Sequence, residues 1–231
     1  MKTTGLIGGM SWESSLEYYR IINQLVRERH GGLHSARIVM HSFDFAEVAT
    51  LQNEGDWDEI IKLMIGAAQR LERAGADFLV ICTNTMHKVA DVVQKDIRVP
   101  LLHIADATAE EIKSRGLEKV GLMGTRLTME EDFYKERLIG RHGLEVMIPD
   151  EHERQIVNDV IYSELCRGEV TQSSRDKYGK IMQNLVASGS EGIILGCTEI
   201  GLLVDQQDVQ VPVFDTTAIH AKSAARYALE L

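Results

Sequence analysis

Short apolar runs alternate along this chain with longer segments in which apolar side chains recur every three or four residues. Four runs have the length and composition of strands buried on both faces of a sheet: 4–8, 37–41, 77–82 and 192–196. Helical spacing is shown by Leu16, Tyr19, Ile22 and Val26, and again by Ile60, Met64, Ala67, Ala68 and Leu71. This alternation predicts an α/β fold of parallel sheets flanked by helices.

Polar residues and glycines indicate several helix boundaries. Gly75 is expected to end the second helix. Further helices are predicted from Thr85, over 198–203 and over 218–231. Residues 128–131 (TMEE) and 150–153 (DEHE) both fit a capping box, in which two side chains satisfy free backbone amides.

The sequence repeats itself at about half its length. Four segments recur in the same order: 4–8 (TGLIG) as 120–124 (VGLMG), 18–20 as 133–135, 74–83 as 188–197, and 99–100 as 211–212. Any two α/β halves share glycine-ended strands, which explains one such match more easily than four. We therefore predict two α/β lobes, 1–99 plus 212–231 and 100–211, related by a pseudo-twofold axis, with the active site in the cleft between them.

Composition and charge narrow the class of protein. The 231 residues include 35 acidic and 25 basic side chains, and the net charge of −10 argues against a nucleic-acid-binding role. No apolar run is long enough to cross a membrane. The three cysteines, Cys82, Cys166 and Cys197, show no metal-binding spacing and suit a reducing cytoplasm.

The repeat singles out one pair of residues. Thr83 and Cys197 occupy equivalent positions at two predicted strand ends, where ligands of α/β sheets bind. Two groups that approach one carbon from opposite sides suit inversion of a stereocentre. A thiolate is a competent base, and the predicted helix at 198–203 would lower the pKa of the Cys197 thiol. Asn84, Thr85 and Thr198 could hold a substrate carboxylate.

Structural roles explain the same residues in other ways. Cys197 could be a small core residue, Thr85 and Thr198 could cap helices, and Asn84 could stabilise a turn. The run 5–9 (GLIGG) lacks the glycine spacing of a dinucleotide-binding loop, and the histidines lack metal-ligand spacing. We therefore expect neither NAD nor a metal.

Several motifs together resemble the aspartate/glutamate racemase superfamily. These are 8–14 (GGMSWES), 82–87 (CTNTMH), 99–104 (VPLLHI) and 196–199 (GCTE). The resemblance extends over essentially the whole chain. It implies a cofactor-independent, two-lobed racemase of acidic amino acids that acts as a homodimer. It also implies that Met10, Gln52 and Glu199 contact or orient the substrate and that His87 helps to orient the catalytic pair.

This chain departs from the superfamily at one catalytic position. Most members have a cysteine where Thr83 stands, and Cys82 lies one residue early, on the opposite face of a regular strand. The resemblance implies that Cys197 serves the L-substrate. We expect Cys197 to remove the α-proton of L-aspartate or L-glutamate and Thr83 to reprotonate the other face, with a strong bias for L-substrates.

Recognition of the distal carboxylate is not assigned by these motifs. Glu164 stands where some relatives have a lysine that reaches the substrate, and Lys88 and Arg126 are candidate cations. Two other functions fit the same pattern. One is a thiol-dependent sister enzyme acting on a hydantoin or malonate derivative, and the other is a non-catalytic sensor of an acidic metabolite.

Overall fold

A computed structural model describes all residues, 1–231. The eight strands are β1 (Thr4–Gly8), β2 (Ile38–Ser42), β3 (Phe78–Ile81), β4 (Leu101–Leu102), β5 (Lys119–Gly124), β6 (Glu145–Met147), β7 (Gly192–Gly196) and β8 (Val213–Asp215). The ten α-helices are α1 (Trp12–His30), α2 (Phe45–Glu54), α3 (Trp57–Arg73), α4 (Ala90–Lys95), α5 (Ile104–Ser114), α6 (Arg126–Glu130), α7 (Asp132–Glu136), α8 (Glu151–Ser163), α9 (Gln172–Ala187) and α10 (Thr216–Leu229). Short 3-10 helices span Thr85–Val89, Leu165–Arg167 and Ile200–Leu202, and Arg137–Arg141 forms a π-helix.

The strands form two four-stranded sheets with the same topology. The first sheet has the order β2-β1-β3-β4 and the second the order β6-β5-β7-β8. Every pairing is parallel. The predicted α/β class, with two parallel sheets flanked by helices, is confirmed.

The chain divides into two compact units, one of residues 1–104 with 220–231 and one of residues 105–219. The predicted lobe boundaries differ from these unit boundaries at both points where the chain passes from one unit to the other. They assigned 101–102 to the second lobe, but β4 pairs with β3 of the first unit. They assigned 213–215 to the first lobe, but β8 pairs with β7 of the second. Each Val-Pro segment therefore leads into the last strand of its own sheet.

Each unit has its own apolar core. In the first, Ile7, Leu79 and Ile81 of the sheet pack with residues of α3 such as Met64 and Ala68. In the second, Ile193 and Leu195 of β7 pack with residues of α8 and α9. The central strands β1, β3 and β7 are fully buried because helices cover both faces of a parallel sheet.

The two predicted capping boxes have different outcomes. The box at Asp150 and Glu153 is confirmed, since both of its reciprocal hydrogen bonds start α8. The box at Thr128 and Glu131 is wrong. The chain enters α6 directly from β5, so Thr125 is the cap and accepts from the Thr128 amide at 3.3 Å.

Helix α1 forms as predicted but buries a different face. Ile22 and Val26 are buried, whereas Leu16 and Tyr19 are exposed. Their place toward the sheet is taken by polar residues, Ser14 and Ser15, together with Tyr18. No helix of the structure combines the length and apolar character needed to span a bilayer.

Candidate active site

The end of β3 is held by helix α1. The Ser14 hydroxyl donates to the carbonyl of Cys82 at 2.8 Å, and the Cys82 amide donates to the carbonyl of Ile7 at 2.9 Å. Cys82 itself is 1% exposed, and burial raises the pKa of its thiol far above the usual range. This thiol therefore stays protonated and is a poor proton acceptor. The sequence suggested the same conclusion, because Cys82 lies one residue before Thr83 and adjacent strand residues point to opposite faces.

Thr83 follows immediately and opens a buried polar segment. Thr83, Asn84 and Thr85 are all at least nine-tenths buried. Asn84 occupies the N-cap of the 3-10 helix, but its side chain makes no capping hydrogen bond. Thr85 is the first residue of that helix and not its cap. The helix-capping role considered for Thr85 is therefore wrong, and Asn84 does not cap this helix through its side chain.

His87 links the Thr83 backbone to the start of α5. Its Nδ1 lies 2.8 Å from the carbonyl oxygen of Thr83, and its Nε2 accepts from the amide of Ile104 at 3.2 Å. Because Nε2 is an acceptor, the proton of a neutral ring must lie on Nδ1 and be donated to Thr83. The ring of His103 packs against this imidazole with a centroid distance of 4.4 Å.

The β1 turn supplies Met10 at the same sheet edge. Met10 is 4% exposed and follows Gly9, whose φ of +86° requires glycine. The Gly9 amide donates to the Ser15 hydroxyl at 2.8 Å, so α1 also fixes this turn. Gln52 lies elsewhere, near the end of α2, and is partly buried.

In the second unit, β7 delivers Cys197 to the carboxyl edge of its sheet. Gly196, the last residue of β7, pairs with Gly124 of β5. A Cβ on Gly124 would lie 2.7 Å from the carbonyl oxygen of Gly196. Because these two glycines have no side chain, β5 and β7 can approach each other closely just before Cys197.

A buried carboxylate holds the Cys197 thiol. The thiol donates to Oε2 of Glu199 at 3.0 Å, and the Thr198 hydroxyl donates to the same oxygen at 2.8 Å. Cys197 is 7% and Glu199 5% exposed. Burial, and then the charge of Glu199, raise the pKa of the Cys197 thiol well above its usual range.

The expected lowering of the Cys197 pKa is therefore wrong. The helix predicted over 198–203 is reduced to the three residues Ile200–Leu202, with no side-chain cap. So short a helix offers little dipole to offset the loss of solvation. Thr198 is likewise not a cap, because its hydroxyl donates to Glu199.

Thr83 and Cys197 have the same register in their own sheets. Ile7 of β1 pairs with Ile81, two residues before Thr83. Met123 of β5 pairs with Leu195, two residues before Cys197. The repeat seen in the sequence is thus a repeat of strand order and register.

The three charged side chains considered for the distal carboxylate all have partners. The Lys88 ammonium lies 4.0 Å from the ring centroid of Trp57. Arg126 pairs with Glu130 at 3.1 Å. Glu164 accepts from the hydroxyls of Thr171 and Ser174, which ties it to the start of α9.

Sequence reasoning missed the part played by the serines of α1. Ser14 and Ser15 lie on a helix face that meets the sheet, where apolar residues are usual. Buried polar residues in the first turn after a strand are a signal for hydrogen bonds to loop backbone. That signal was visible in residues 11–15 (SWESS).

Comparisons with known proteins agree with this architecture. Residues 7–224 match the family described as Asp/Glu/Hydantoin racemase. The chain is 30% identical over 168 residues to the broad specificity amino-acid racemase RacX of Bacillus subtilis, with 73% of this chain and 72% of RacX covered. A crystal structure from Yersinia pestis, of a protein named as a candidate Asp/Glu racemase, has a TM-score of 0.94 and 57% identity over 99% of this chain and 100% of that one. An aspartate racemase homologue from Pyrococcus horikoshii has a TM-score of 0.86 and 39% identity, over 99% and 100%.

Proposed function

The chain belongs to the Asp/Glu/hydantoin racemase family, and we propose that it converts L-aspartate and L-glutamate to their D-isomers without a cofactor. In this proposal Cys197 removes the α-proton and Thr83 returns one to the opposite face. The observation that carries it is the matched register of these two residues at the carboxyl edges of two sheets with the same strand order.

The thiol first loses its proton to Glu199. The hydrogen bond from Cys197 to Oε2 is already directed at the acceptor. The reference pKa values of a thiol and a carboxyl differ by about 4 units, so the transfer of the proton from Cys197 to Glu199 costs about 6 kcal/mol. The α-ammonium group of the substrate would bring a positive charge to the site and reduce that cost.

Proton exchange at the α-carbon then follows. The Cα–H bond breaks, an S–H bond forms on Cys197, and the electron pair is delocalised into the substrate carboxylate. The Thr83 hydroxyl gives its proton to the other face and regains one from water. The proton on Glu199 neutralises the hydroxide that remains, so the cycle balances.

Thr83 suits one direction of this reaction better than the other. A hydroxyl donates a proton readily, but its pKa is far too high for it to rest as an alkoxide and accept one. We expect a much larger kcat for L-substrates than for D-substrates, balanced by a larger KM, because the equilibrium constant between two enantiomers is one. His87 supports this role by fixing the backbone of Thr83 through its carbonyl group.

The remaining polar residues would hold the substrate. Asn84, Thr85 and Thr198 offer amide and hydroxyl donors for the α-carboxylate, where negative charge grows in the transition state. Met10 and Gln52 complete the proposed contacts. Glu199 is the proton acceptor for the thiol as well as a substrate-binding residue.

The deciding experiment is chiral product analysis with each enantiomer of aspartate and glutamate, with no added cofactor. We expect D-product from the L-substrates and much slower conversion of the D-substrates. Equal rates for both enantiomers would contradict the assignment of Thr83 as a one-way acid. No conversion of any of the four would overturn the proposed substrates.

Two variants separate the roles of the catalytic pair. Cys197→Ser should abolish deuterium exchange from solvent at the α-carbon of L-substrates, measured by mass spectrometry. Thr83→Cys should gain conversion of D-substrates, because a thiol can accept a proton from that face. Unchanged enantiomer preference in Thr83→Cys would count against its position.

Three further outcomes distinguish other functions. RacX is named as broad in specificity, so conversion of neutral amino acids at rates similar to aspartate would indicate a broad racemase. Deuterium exchange into a hydantoin or malonate derivative, but not into amino acids, would indicate a sister enzyme. Binding without exchange would indicate a sensor. A cytoplasmic location remains a prediction, to be checked by cell fractionation.

A further inference from the structure

One step of the proposed reaction has no protein partner so far. Thr83 gives up its hydroxyl proton in every turnover and must regain one. At the equivalent strand end, Cys197 exchanges its proton with Glu199, two residues further along the chain. The residue two positions after Thr83 is Thr85, which has no ionisable group. A side chain that supplies Thr83 with a proton must therefore come from another segment of the chain.

Most buried titratable side chains near Thr83 are committed to other bonds. The Cys82 thiol is fully buried, and burial raises its pKa far above the usual range. Both ring nitrogens of His87 bond the backbone groups described above. In His220, Nδ1 lies 2.8 Å from the hydroxyl of Tyr18, and Nε2 donates to the carbonyl of Leu102 at 3.1 Å. A histidine with both nitrogens engaged in this way cannot pass a proton to a hydroxyl.

His103 is the remaining buried histidine at this edge of the first sheet. Leu102 of β4 pairs with Val80 of β3, so His103 comes level with the last residue of β3, two positions before Thr83. Its side chain is 6% exposed. Its ring packs against His87 with the centroids 4.4 Å apart, and His87 in turn bonds the carbonyl of Thr83. One imidazole therefore separates the His103 ring from the Thr83 backbone.

We propose that His103 supplies the proton that Thr83 regains, through one bridging water molecule. This inference rests on the proposed function, in which Thr83 protonates the α-carbon. As the Oγ–H bond of Thr83 breaks and the new Cα–H bond forms, an N–H of His103 passes its proton through the water to Oγ. The other ring nitrogen takes a proton from solvent, and the proton on Glu199 neutralises the hydroxide that remains. The ring returns to its first tautomer by exchange with water, so the cycle balances.

The surroundings of His103 favour a relay through a neutral ring. The adjacent His87 and the next imidazole, His220, lie with centroids 5.6 Å apart. Each of these two rings is neutral, with one nitrogen as donor and the other as acceptor. A buried imidazolium beside them would lose its hydration at a large cost. A relay avoids that cost because one proton enters the ring as another leaves it.

Deuterium from solvent distinguishes a relay from a structural role. In D2O, L-aspartate gains deuterium without inversion on the Cys197 face and with inversion on the Thr83 face. Chiral chromatography with mass spectrometry measures the two labelled products separately. His103→Asn and His103→Leu should lower formation of labelled D-aspartate by about 10²-fold and change labelling of the recovered L-aspartate by less than about 2-fold. A damaged fold would lower both signals alike.

Free imidazole provides a second measurement. In His103→Ala, added imidazole should raise the rate of inversion several-fold, because it can occupy the space that the side chain left. In His103→Leu the larger side chain fills that space, so imidazole should have no effect. The control is His41→Asn, because His41 lies on β2 of the same sheet and has no part in the proposed reaction. Both labelling signals of this control should match the wild type.

The outcomes separate this inference from the proposed function. Wild-type inversion by His103→Asn, an equal loss of both signals, or a His103→Ala variant that imidazole does not rescue would overturn the relay. Loss of inversion in His41→Asn would overturn it as well. In each case Thr83→Ala, if it loses inversion alone, leaves the proposed function in place. A wild-type chain that shows neither signal would overturn the proposed function and the relay together.

Discussion

Cys197 rests as a protonated thiol in the empty site. Burial and the nearby Glu199 carboxylate both disfavour the thiolate and raise the Cys197 pKa. The same carboxylate accepts the thiol hydrogen bond. In the proposed mechanism, Glu199 keeps the thiolate rare in the empty site and accepts the thiol proton once the α-ammonium group of the substrate is bound.

Glu199→Gln separates these two effects. Removal of the negative charge should lower the Cys197 pKa, so the thiolate should appear at lower pH than in the wild type. The rate should nevertheless fall by about 10²–10⁴-fold, because the proton acceptor is lost. The absorbance of the thiolate, with the Cys197→Ser variant subtracted as background, measures the pKa of Cys197. Chiral analysis of L-aspartate conversion measures the rate. A variant with a raised thiol pKa or full activity would contradict this role.

His87 acts on Thr83 through the backbone. The ring donates to one backbone carbonyl and accepts from one backbone amide, both buried. His87→Leu should remove both hydrogen bonds and lower the free energy of unfolding by about 1–3 kcal/mol. Urea denaturation measures this free energy of unfolding, and His152→Leu is the control because His152 is exposed. Nitrogen NMR should show the Nδ1–H tautomer, and an Nε2–H ring would disprove the hydrogen-bond assignment.

At the scale of elements, α5 is tied to the π-helix that follows α7. Asp106 of α5 accepts from the Arg137 guanidinium at 2.7 Å and lies 2.9 Å from Nε2 of His142. Burial alone would raise the Asp106 pKa. The hydrogen bonds and charges of Arg137 and His142 outweigh burial and hold it below the usual range.

This lowered pKa makes the contribution of Asp106 to stability pH-dependent. The carboxylate is charged in both folded and unfolded chains above about pH 4, so its stabilising effect is complete there. As the pH falls below that value, the unfolded chain binds a proton first and the stabilisation is lost. Asp106→Asn should cost about 1 kcal/mol at pH 7, because the group is partly exposed. The difference from wild type in urea denaturation should shrink toward pH 3, and a constant difference would contradict the ion pair.

At the scale of the whole molecule, two units of the same topology differ in the group at the equivalent strand end, where the proposed catalytic pair lies. Thr83 of one unit and Cys197 of the other have matched register but unlike acidity. The hydroxyl of Thr83 at one strand end and the thiol of Cys197 at the equivalent end would give the proposed racemase a physical basis for favouring one enantiomer. The proposed chemistry uses only a thiol, a carboxyl, a hydroxyl, an imidazole and water.

Inhibitors of cofactor chemistry should therefore leave the reaction unchanged. Aminooxyacetate, which traps pyridoxal phosphate, and prolonged dialysis against EDTA should each alter the rate of L-aspartate conversion by less than about 2-fold. Iodoacetamide should abolish it in proportion to Cys197 labelling, followed by mass spectrometry. Loss of activity with aminooxyacetate or with EDTA, at unchanged thiol content, would contradict the proposed mechanism.

The sequence by itself determined the alternation of strands and helices, the twofold repeat and the two strand ends that carry Thr83 and Cys197. Periodicity and glycine placement are local properties, and β1 and β7 span the same residues as their apolar runs. The cap of α8 was also readable, because both partners of its capping box lie within four residues.

Only the tertiary structure decided which α1 face is buried, which sheet β4 and β8 join, and the protonation of Cys197. Leu16 and Tyr19 follow the same spacing as Ile22, but the sheet meets Ser14 and Ser15 instead. The thiol pKa depends on burial by residues distant in sequence and on where the Glu199 side chain turns. Such properties arise from the packing of separate segments, so no local pattern encodes them.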